Sequence, residues 1–301
     1  MKHLISLLYL LVSLYTSGMD TSNPAFLQKV FTDIQANGIE AAMEGIENDL
    51  PVMLAEAGIE VEVDVTGSSV IDPLKLDYKE ELKHLGYYKD DSKDAKLNLR
   101  NAILRFQSSC NMTVNGTWND KCLEALALQL WTTTASCEDT IDTPPSEGKW
   151  LVINKTKRIL TLYENKMIIK KYPVAIGNPP SLTPDGKFTI VSKVVNPAWG
   201  GGGYAKPVKG GIPANPLGYR WFGLSYKSGD DLGIHGNNSP YSIGKNVSHG
   251  CIRMINSDVE QLFEIVPRSV NVWIGTEAKL KEWGLVQKEY AEIEKNEETN
   301  E

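Results

Sequence analysis

The residues of this chain best suited to chemistry are Cys251, in the run Ser-His-Gly-Cys at 248–251, and His235, which precedes Gly236. The thiolate is the reactive form of cysteine, and a neighbouring imidazole can take the thiol proton and stay beside it as a cation. Glycine backbone can approach an electrophile closely. Such a set suits acyl transfer, and we expect Cys251 to be ionised near neutral pH.

Other interpretations of these residues are open. A lone cysteine is more often a small buried apolar residue, and a cysteine with two histidines could bind zinc. Zinc sites usually need three or four closely grouped ligands, and no fourth ligand is grouped with His235, His249 and Cys251. We therefore predict no metal site.

Two glycine clusters, at 200–203 and 210–211, invite comparison with a phosphate-binding loop. No Gly-Lys-Ser or Gly-Lys-Thr block follows them, so we predict no nucleotide and no other cofactor. A long irregular loop in a compact domain is often a mobile lid. A permissive surface insertion explains the glycines equally well.

A series of short β-like segments must position the reactive residues. These segments are separated by turn residues and cover 150–153, 158–163, 167–176, 187–195 and 221–225, with a closing strand at 270–274. The pattern favours a β-sandwich or a barrel-like sheet. One helix is indicated after Cys251, because residues 257–260 (Ser-Asp-Val-Glu) match a capping box and precede apolar residues at helical spacing.

The order of these features resembles the L,D-transpeptidase catalytic domain family, also called YkuD. The resemblance covers Trp150 to Ile274: paired hairpins, the run Thr-Pro-Asp-Gly-Lys-Phe at 183–188, a glycine-rich loop, His235-Gly236, and Ser-His-Gly-Cys-Ile-Arg at 248–253. It implies a mainly-β catalytic domain of the L,D-transpeptidase β-sandwich type at 150–275.

The resemblance also implies roles. Cys251 is the nucleophile, and His235 is the base, with backbone near Gly236 orienting its other nitrogen. His249 tunes the local charge, and Ser248 supports the loop by hydrogen bonding. The backbone N–H groups around Gly250 form the oxyanion hole. Arg253 is a clamp for a substrate carboxylate. A structural ion pair is the other role open to Arg253.

The substrate follows from the resemblance alone. Peptidoglycan stem peptides and glycan are the implied partners: the cysteine attacks a stem tetrapeptide before its terminal D-residue, and the side-chain amine of a second stem resolves the thioester. If water resolves it instead, the protein is an L,D-carboxypeptidase. A catalytically silent wall-binding protein is a third hypothesis, which the intact Cys251, His235 and His249 disfavour.

The N-terminal residues have the pattern of a targeting signal. Residues 1–18 have a short basic start, an apolar run and small residues before a cleavage point, as in a secretory signal peptide. The run is shorter than the roughly 20 residues of a membrane span, so we expect no stable span. We predict a secreted or cell-wall-associated, extracytoplasmic protein. The chain has a net charge of −7, whereas nucleic-acid-binding domains are usually basic, so we predict no nucleic-acid partner.

The remaining segments are assigned by pattern. We predict a helical spacer at 19–71, a linker rich in Thr, Ser and Pro at 132–149, and an acidic, helical and solvated tail at 276–301. Residues 72–131 resemble the small peptidoglycan-binding type 1 module, through runs such as Leu-Gly-Tyr-Tyr at 85–88 and Val-Asn-Gly at 114–116. That implies a three-helix domain, folded separately from the catalytic region; a helical linker bundle is the alternative.

Three cysteines lie on or beside the predicted module, namely Cys110, Cys122 and Cys137. Exported chains often use cysteines in disulfides, and a disulfide through Cys251 would remove the nucleophile. One pair among the three is possible, and three buried thiols are an equally good interpretation.

Overall fold

A computed structural model of the chain describes residues 77–131, 139–203, 205–227 and 231–289. The predicted signal peptide at 1–18 and the predicted spacer at 19–71 lie outside these residues, as does Cys137. The helices and strands given below are those of the described ranges.

The described chain begins with helices and continues mainly as strands. The helices are α1 (Tyr78–His84), α2 (Ala95–Ser109), α3 (Asp120–Trp131), α4 (Asn256–Ile265) and α5 (Glu277–Glu282). The strands are β1 (Asp139–Ile141), β2 (Lys149–Asn154), β3 (Ile159–Glu164), β4 (Met167–Gly177), β5 (Gly186–Val195), β6 (Arg220–Leu224), β7 (Gly233–His235), β8 (Asn246–Ser248), β9 (Ile252–Met254), β10 (Asn271–Gly275) and β11 (Leu285–Gln287).

One sheet organises the catalytic region. Within the described ranges it contains nine strands in the order β3-β2-β10-β5-β6-β7-β9-β4-β8. Strand β3 also pairs with β4, antiparallel, so that the sheet closes on itself. The predicted mainly-β catalytic domain is confirmed, and the closure corresponds to the barrel-like form of the prediction.

The centre of this domain is apolar and aromatic. Strands β2 and β3 are buried along almost their whole length, which is why their sequences are nearly continuous apolar runs. The ring of Trp150 stacks on Tyr163 with centroids 4.7 Å apart, and meets Trp273 edge to face at 5.2 Å. Offset and edge-on contacts of this kind add to the gain from burial alone.

Contacts between residues divide the chain into two compact units: residues 1–78 with 123–135, and residues 79–122 with 136–301. The structure describes only 77–78 and 123–131 of the first unit. The second unit holds α2 together with the whole sheet. The predicted division between a module at 72–131 and a catalytic domain at 150–275 therefore does not coincide with the observed one.

Apolar contacts explain why α2 belongs with the sheet. One cluster of buried side chains joins the helical segment to the strands and loops of the catalytic region; it contains Leu104, Val114, Ile159, Ala175, Ile243 and Ile255. Gly244 lies so close that an added Cβ would be 2.9 Å from Leu104 Cδ2. A shared apolar core, and not a flexible tether, connects the two regions.

Charged side chains reinforce the same junction. Arg105 of α2 forms ion pairs with Asp258 of α4 at 3.1 Å and with Asp91 at 2.8 Å, and all three side chains are at most 7% exposed. The hydroxyl of Ser257 donates to Asp91 and accepts from Arg105. Helix α4 consequently begins at Asn256 with Ile255 as its N-cap, and the predicted capping box is wrong because the hydroxyl of Ser257 has other partners.

The predicted linker and the predicted tail both contain strands. Residues 139–141 of the predicted linker at 132–149 form β1, which pairs antiparallel with β11. The predicted helical tail at 276–301 begins with the helix α5, but it continues as β11 and is not wholly solvated, because Leu280 and Leu285 are each only 1% exposed. Residues 290–301 lie outside the described ranges.

Two further expectations concern cysteines and membranes. Cys110 and Cys122 are buried and not joined to each other, and burial raises the pKa of the Cys122 thiol. The pairing of Cys110 with Cys137 stays untested. Across the described ranges, every helix is too short or too polar to cross a bilayer.

Candidate active site

Two short parallel strands place the reactive residues. Strand β7 pairs with β9 so that Ile234 lies opposite Ile252 and His235 opposite Arg253. Because side chains alternate along a strand, Cys251, Arg253 and His235 lie toward one side of the sheet, and Ile234 and Ile252 toward the core on the other. The register therefore brings together the predicted nucleophile, base and clamp.

His235 is held in one orientation. Its ring is 3% exposed and stacks on Trp221 of β6, with centroids 5.6 Å apart. Its Nδ1 lies 2.6 Å from the carbonyl oxygen of Gly236, and only a protonated Nδ1 can donate there. The other nitrogen, Nε2, then carries the lone pair that a base needs. This geometry matches the predicted orienting role of backbone at Gly236.

The environment keeps His235 neutral. Burial lowers the pKa of the imidazole to about 4, and the positive charge of Arg253 acts in the same direction, while the hydrogen bond to Gly236 opposes them. At neutral pH the ring is therefore a proton acceptor.

Cys251 is half-buried, and its thiol favours the neutral form. Burial raises the pKa of the thiol; a hydrogen bond from backbone at Gly233 and the charge of Arg253 lower it, and Asp231 raises it further. The expectation of an ionised Cys251 near neutral pH is therefore not supported. The thiol, with its raised pKa, and the imidazole of His235, with its lowered pKa, both favour their neutral forms.

Hydrogen bonds within 248–251 fix the loop that carries the nucleophile. Ser248 Oγ donates to the carbonyl of Cys251 at 2.6 Å and accepts from the N–H of Gly250 at 3.1 Å, as the predicted loop-supporting role requires. The N–H of Gly250 is thereby engaged inside the loop. Of the two N–H groups expected near the oxyanion, that of Cys251 is left as the candidate donor.

The two remaining candidates differ in environment. His249 is exposed, unlike His235. The guanidinium of Arg253 is half-buried and, across the described ranges, forms neither an ion pair nor a hydrogen bond with its side chain. The structural ion pair considered for Arg253 is therefore not found among the described residues.

Sequence reasoning missed three residues around the site. Trp221 stacks on His235, and a Cβ on Gly233 would lie 2.4 Å from the Trp221 ring. A glycine inside a strand often marks such a close approach, so Gly233 carried a usable signal, whereas Trp221 carried none. Thr183 bonds directly to the nucleophile loop; its only signal was its place in the run at 183–188.

No metal centre competes with this interpretation in the part of the chain that the structure describes. There, no three His, Cys, Asp or Glu side chains are grouped closely enough to hold an ion. The arrangement can perform base-assisted attack by a thiol on an acyl carbonyl.

Comparison with known proteins shows the same relationship. The L,D-transpeptidase catalytic domain family, YkuD, matches residues 148–274. The protein named "Putative L,D-transpeptidase YqjB" of Bacillus subtilis is 39% identical over 136 residues, which are 44% of this chain and 74% of that protein. The "Putative L,D-transpeptidase YkuD" of Bacillus licheniformis is 41% identical over 124 residues, 41% of this chain and 64% of that protein.

A crystal structure of the L,D-transpeptidase (residues 123–326) from Xylanimonas cellulosilytica aligns with 66% of this chain and 91% of its own. The sequence identity is 18% and the TM-score 0.44.

Proposed function

Because this chain belongs to the L,D-transpeptidase family, whose YkuD catalytic domain it carries at residues 148–274, we propose that it is a cysteine acyltransferase that cross-links or remodels peptidoglycan. Cys251 attacks the acyl carbonyl of a stem tetrapeptide before its terminal D-residue. The D-amino acid leaves, a thioester forms on Sγ, and the side-chain amine of a second stem resolves it.

The orientation of His235 carries the proposal. Its Nδ1 is engaged by the Gly236 carbonyl at 2.6 Å, so that the unprotonated Nε2 is the nitrogen available to Cys251, which directly precedes the neighbouring strand β9. The imidazole takes the thiol proton as sulfur attacks, and returns it to the leaving amine. The same ring thus serves as base and then as acid within one acylation.

Arg253 supplies recognition in this scheme. Its guanidinium has no carboxylate partner across the described ranges, and it is adjacent to both reactive residues through the pairing of β7 with β9. A planar fork of N–H donors suits the carboxylate of a stem peptide. We assign to it the clamp that holds the donor peptide in place.

Intact-mass analysis tests the proposal. Purified protein is mixed with a tetrapeptide-stem muropeptide, and the adduct on wild type is compared with that on the Cys251→Ala variant. We expect an acyl adduct, with loss of the terminal D-residue, on wild type alone. An adduct on the alanine variant would move the nucleophile elsewhere, and unmodified wild type would remove the assignment of substrate.

Product analysis then separates transfer from hydrolysis. The residues for both outcomes are the same, so the two differ only in whether an amine or water resolves the thioester. A cross-linked dimer with an added acceptor stem identifies the transpeptidase. A free tripeptide as the main product under those conditions identifies the L,D-carboxypeptidase.

The location and wall attachment of the protein belong to the same proposal. The apolar run at 1–18 and the resemblance of 72–131 to a peptidoglycan-binding module support an extracytoplasmic, wall-associated enzyme. Fractionation of cells that express the full chain checks the location, and retention on insoluble sacculi checks the attachment. An enzyme found in the cytoplasm with its first 18 residues intact would contradict this part.

A further inference from the structure

Thr183 opens the run Thr-Pro-Asp-Gly-Lys-Phe, which has no part in the chemistry described so far. Its side chain is fully buried. The hydroxyl donates to the carbonyl oxygen of Gly250 at 2.6 Å and accepts from the N–H of Gly177 at 2.8 Å. Gly250 precedes the nucleophile, so Thr183 connects the end of β4 directly to the peptide bond that enters Cys251.

The segment before Thr183 packs tightly against the same loop. Residues Pro180–Leu182 form a short 3-10 turn. A Cβ on Gly250, whose φ is +136°, would lie 2.8 Å from the carbonyl oxygen of Leu182, and a Cβ on Gly177 would lie 2.9 Å from Leu182 Cβ. The turn at 180–182 therefore packs closely against Gly177, at the end of β4, and against Gly250, in the loop that carries Cys251. Neither position has room for a side chain, so the backbone there has little space to shift.

A buried lysine holds the backbone of Thr183 in place. The Nζ of Lys155 donates to the carbonyl of Thr183 at 2.8 Å and pairs with the carboxylate of Asp185 at 2.7 Å, and Lys155 is 5% exposed. Both the main chain and the side chain of Thr183 are therefore fixed. A hydroxyl held in this way can set the orientation of its partner instead of following it.

We propose that Thr183 is a positioning residue for the oxyanion donor of the enzyme. A trans peptide is planar, with its C=O and N–H pointing in opposite directions. By holding the Gly250 carbonyl, the Thr183 hydroxyl fixes the direction of the Cys251 N–H, the donor left available once Ser248 engages the N–H of Gly250. A donor fixed before the reaction stabilises charge without reorganisation.

The role applies to one step. When sulfur attacks, the S–C bond forms, the π electrons of the carbonyl move to its oxygen, and the thiol proton passes to His235. The Cys251 N–H then donates to that oxyanion. The C–N bond to the terminal residue breaks next, and the proton returns to the leaving amine. The inference rests on the proposed acyl transfer, because a reaction without an oxyanion has no need of this donor.

The experiment compares three reactions of Cys251 in the full-length chain. Iodoacetamide alkylates sulfur without forming an oxyanion, p-nitrophenyl acetate acylates it through one, and a tetrapeptide-stem muropeptide adds recognition of the stem. Rates are followed by mass spectrometry of the peptide that contains Cys251. The variants are Thr183→Val, which keeps the shape but not the hydroxyl, and Thr183→Ser, which keeps the hydroxyl.

A matched control is available in Thr161. It is also fully buried in the sheet and makes a side-chain hydrogen bond, accepting from Gln287 at 3.0 Å, but it does not contact the loop at 248–251. Thr161→Val removes a buried hydroxyl of the same kind. We expect all three reactions of that variant to keep their wild-type rates.

For Thr183→Val we expect alkylation close to the wild-type rate and both acylations slower, by up to about 100- to 1,000-fold, which is the cost of losing an oxyanion donor altogether. Thr183→Ser should recover most of the rate. If Thr183→Val does not fold, Thr183→Ala supports the same comparison, with a smaller loss if water enters the space.

Two results would overturn the proposal. One is equal loss of alkylation and acylation, which would mean that the hydroxyl merely maintains the surroundings of the thiol. The other is acylation at the wild-type rate without the hydroxyl. Failure of the proposed function gives a different result, because wild type would then react with p-nitrophenyl acetate and not with the stem peptide. The rates of wild type and Thr183→Val with p-nitrophenyl acetate would still test the role of Thr183.

Discussion

The two histidines next to the nucleophile occupy contrasting environments. His235 is buried, stacked on Trp221 and bonded through Nδ1, while His249 is exposed. A base must be held at a fixed distance and in one tautomer, and the stacking and hydrogen bond of His235 meet this requirement.

We predict that His235→Ala loses acylation of Cys251 by about two to four powers of ten, as expected for removal of a general base. His249→Ala, the matched control in the same loop region, should lose far less. Single-turnover acylation followed by intact mass gives both rates. A dead His249→Ala enzyme with an active His235→Ala enzyme would reverse the two roles.

The pH dependence of acylation follows from the environment of His235. Its pKa is lowered from 6.5 to about 4, so the proton-accepting form is present above about pH 4 and is lost as the pH falls through that value. We predict an acid limb in kcat/KM near pH 4, not near 6.5. Rate measurements from pH 3 to 8, on enzyme shown to stay folded, locate the limb, and a midpoint at 6 or above would contradict buried, neutral His235 as the base.

Residue types and spacing predicted Cys251 and His235 as the reactive pair, but not the environment of either side chain. The pKa directions of these two groups depend on burial and on neighbours such as Gly233, Gly236 and Asp231, which only the fold brings together. The raised pKa of the Cys251 thiol does not support the expected thiolate, because spacing does not reveal how far a side chain is buried.

At the scale of elements, α2 and α4 depend on one buried ion cluster. Arg105 holds Asp258 and Asp91 in a region where all three side chains are nearly inaccessible, and Lys89 adds a contact to Asp258 at 3.2 Å. Helix α4 follows β9 directly, and β9 follows Cys251. The cluster therefore lies close in the chain to the nucleophile, although it takes no part in the chemistry.

We predict that Arg105→Met lowers the free energy of unfolding by about 3 to 5 kcal/mol, because it leaves two buried carboxylates with less positive charge to balance them. Lys83→Met, which breaks the exposed pair of Lys83 with Glu80 in α1, is the control and should cost less than about 1 kcal/mol. Urea denaturation of both variants measures the difference. Similar midpoints would show that Arg105 is dispensable.

The strands were predictable because their signals are local. The expected segments at 150–153, 167–176 and 187–195 correspond to β2, β4 and β5 within a residue or two, since apolar runs between turn residues fix them. Strands β1 and β11 carry no such signal. Each is three residues long and lies in a charged or proline-rich context, and each is stabilised by pairing with the other across a long stretch of chain, from Ile141 to Leu285 at the nearest pair.

At the scale of the whole molecule, the compact unit that contains the sheet begins well before residue 148. The linker composition at 132–149 and the resemblance of 72–131 to a small module predicted that the catalytic region folds separately from the helices before it. The structure instead places 79–122 in the same compact unit as the sheet, with Leu104 and Val114 in a core shared with Ile159 and Ile255.

We predict that a chain starting at residue 148 is much less stable than the full chain, or insoluble, because it exposes that shared core and loses β1, the partner of β11. A chain starting at residue 77 is the matched control and should keep acylation of a soluble stem peptide. Thermal unfolding and the acylation assay test both. A stable, active 148–301 fragment would restore the interpretation of two independent domains.

A sacculus pull-down with the chains starting at 1 and 77 adds a separate test of wall attachment. Equal retention would assign any attachment to residues 77–301, and loss in the shorter chain would assign it to residues 1–76. Sequence resemblance pointed to 72–131, and the contacts that unite 79–122 with the sheet neither require nor exclude a role in binding.

The raised pKa of Cys251 also affects how long the enzyme survives. Peroxide and disulfides react with the thiolate and much more slowly with the thiol. Because its raised pKa favours the neutral thiol, Cys251 offers oxidants little of the form they attack. The burial that raises this pKa should therefore also slow the formation of sulfenic acid at Cys251.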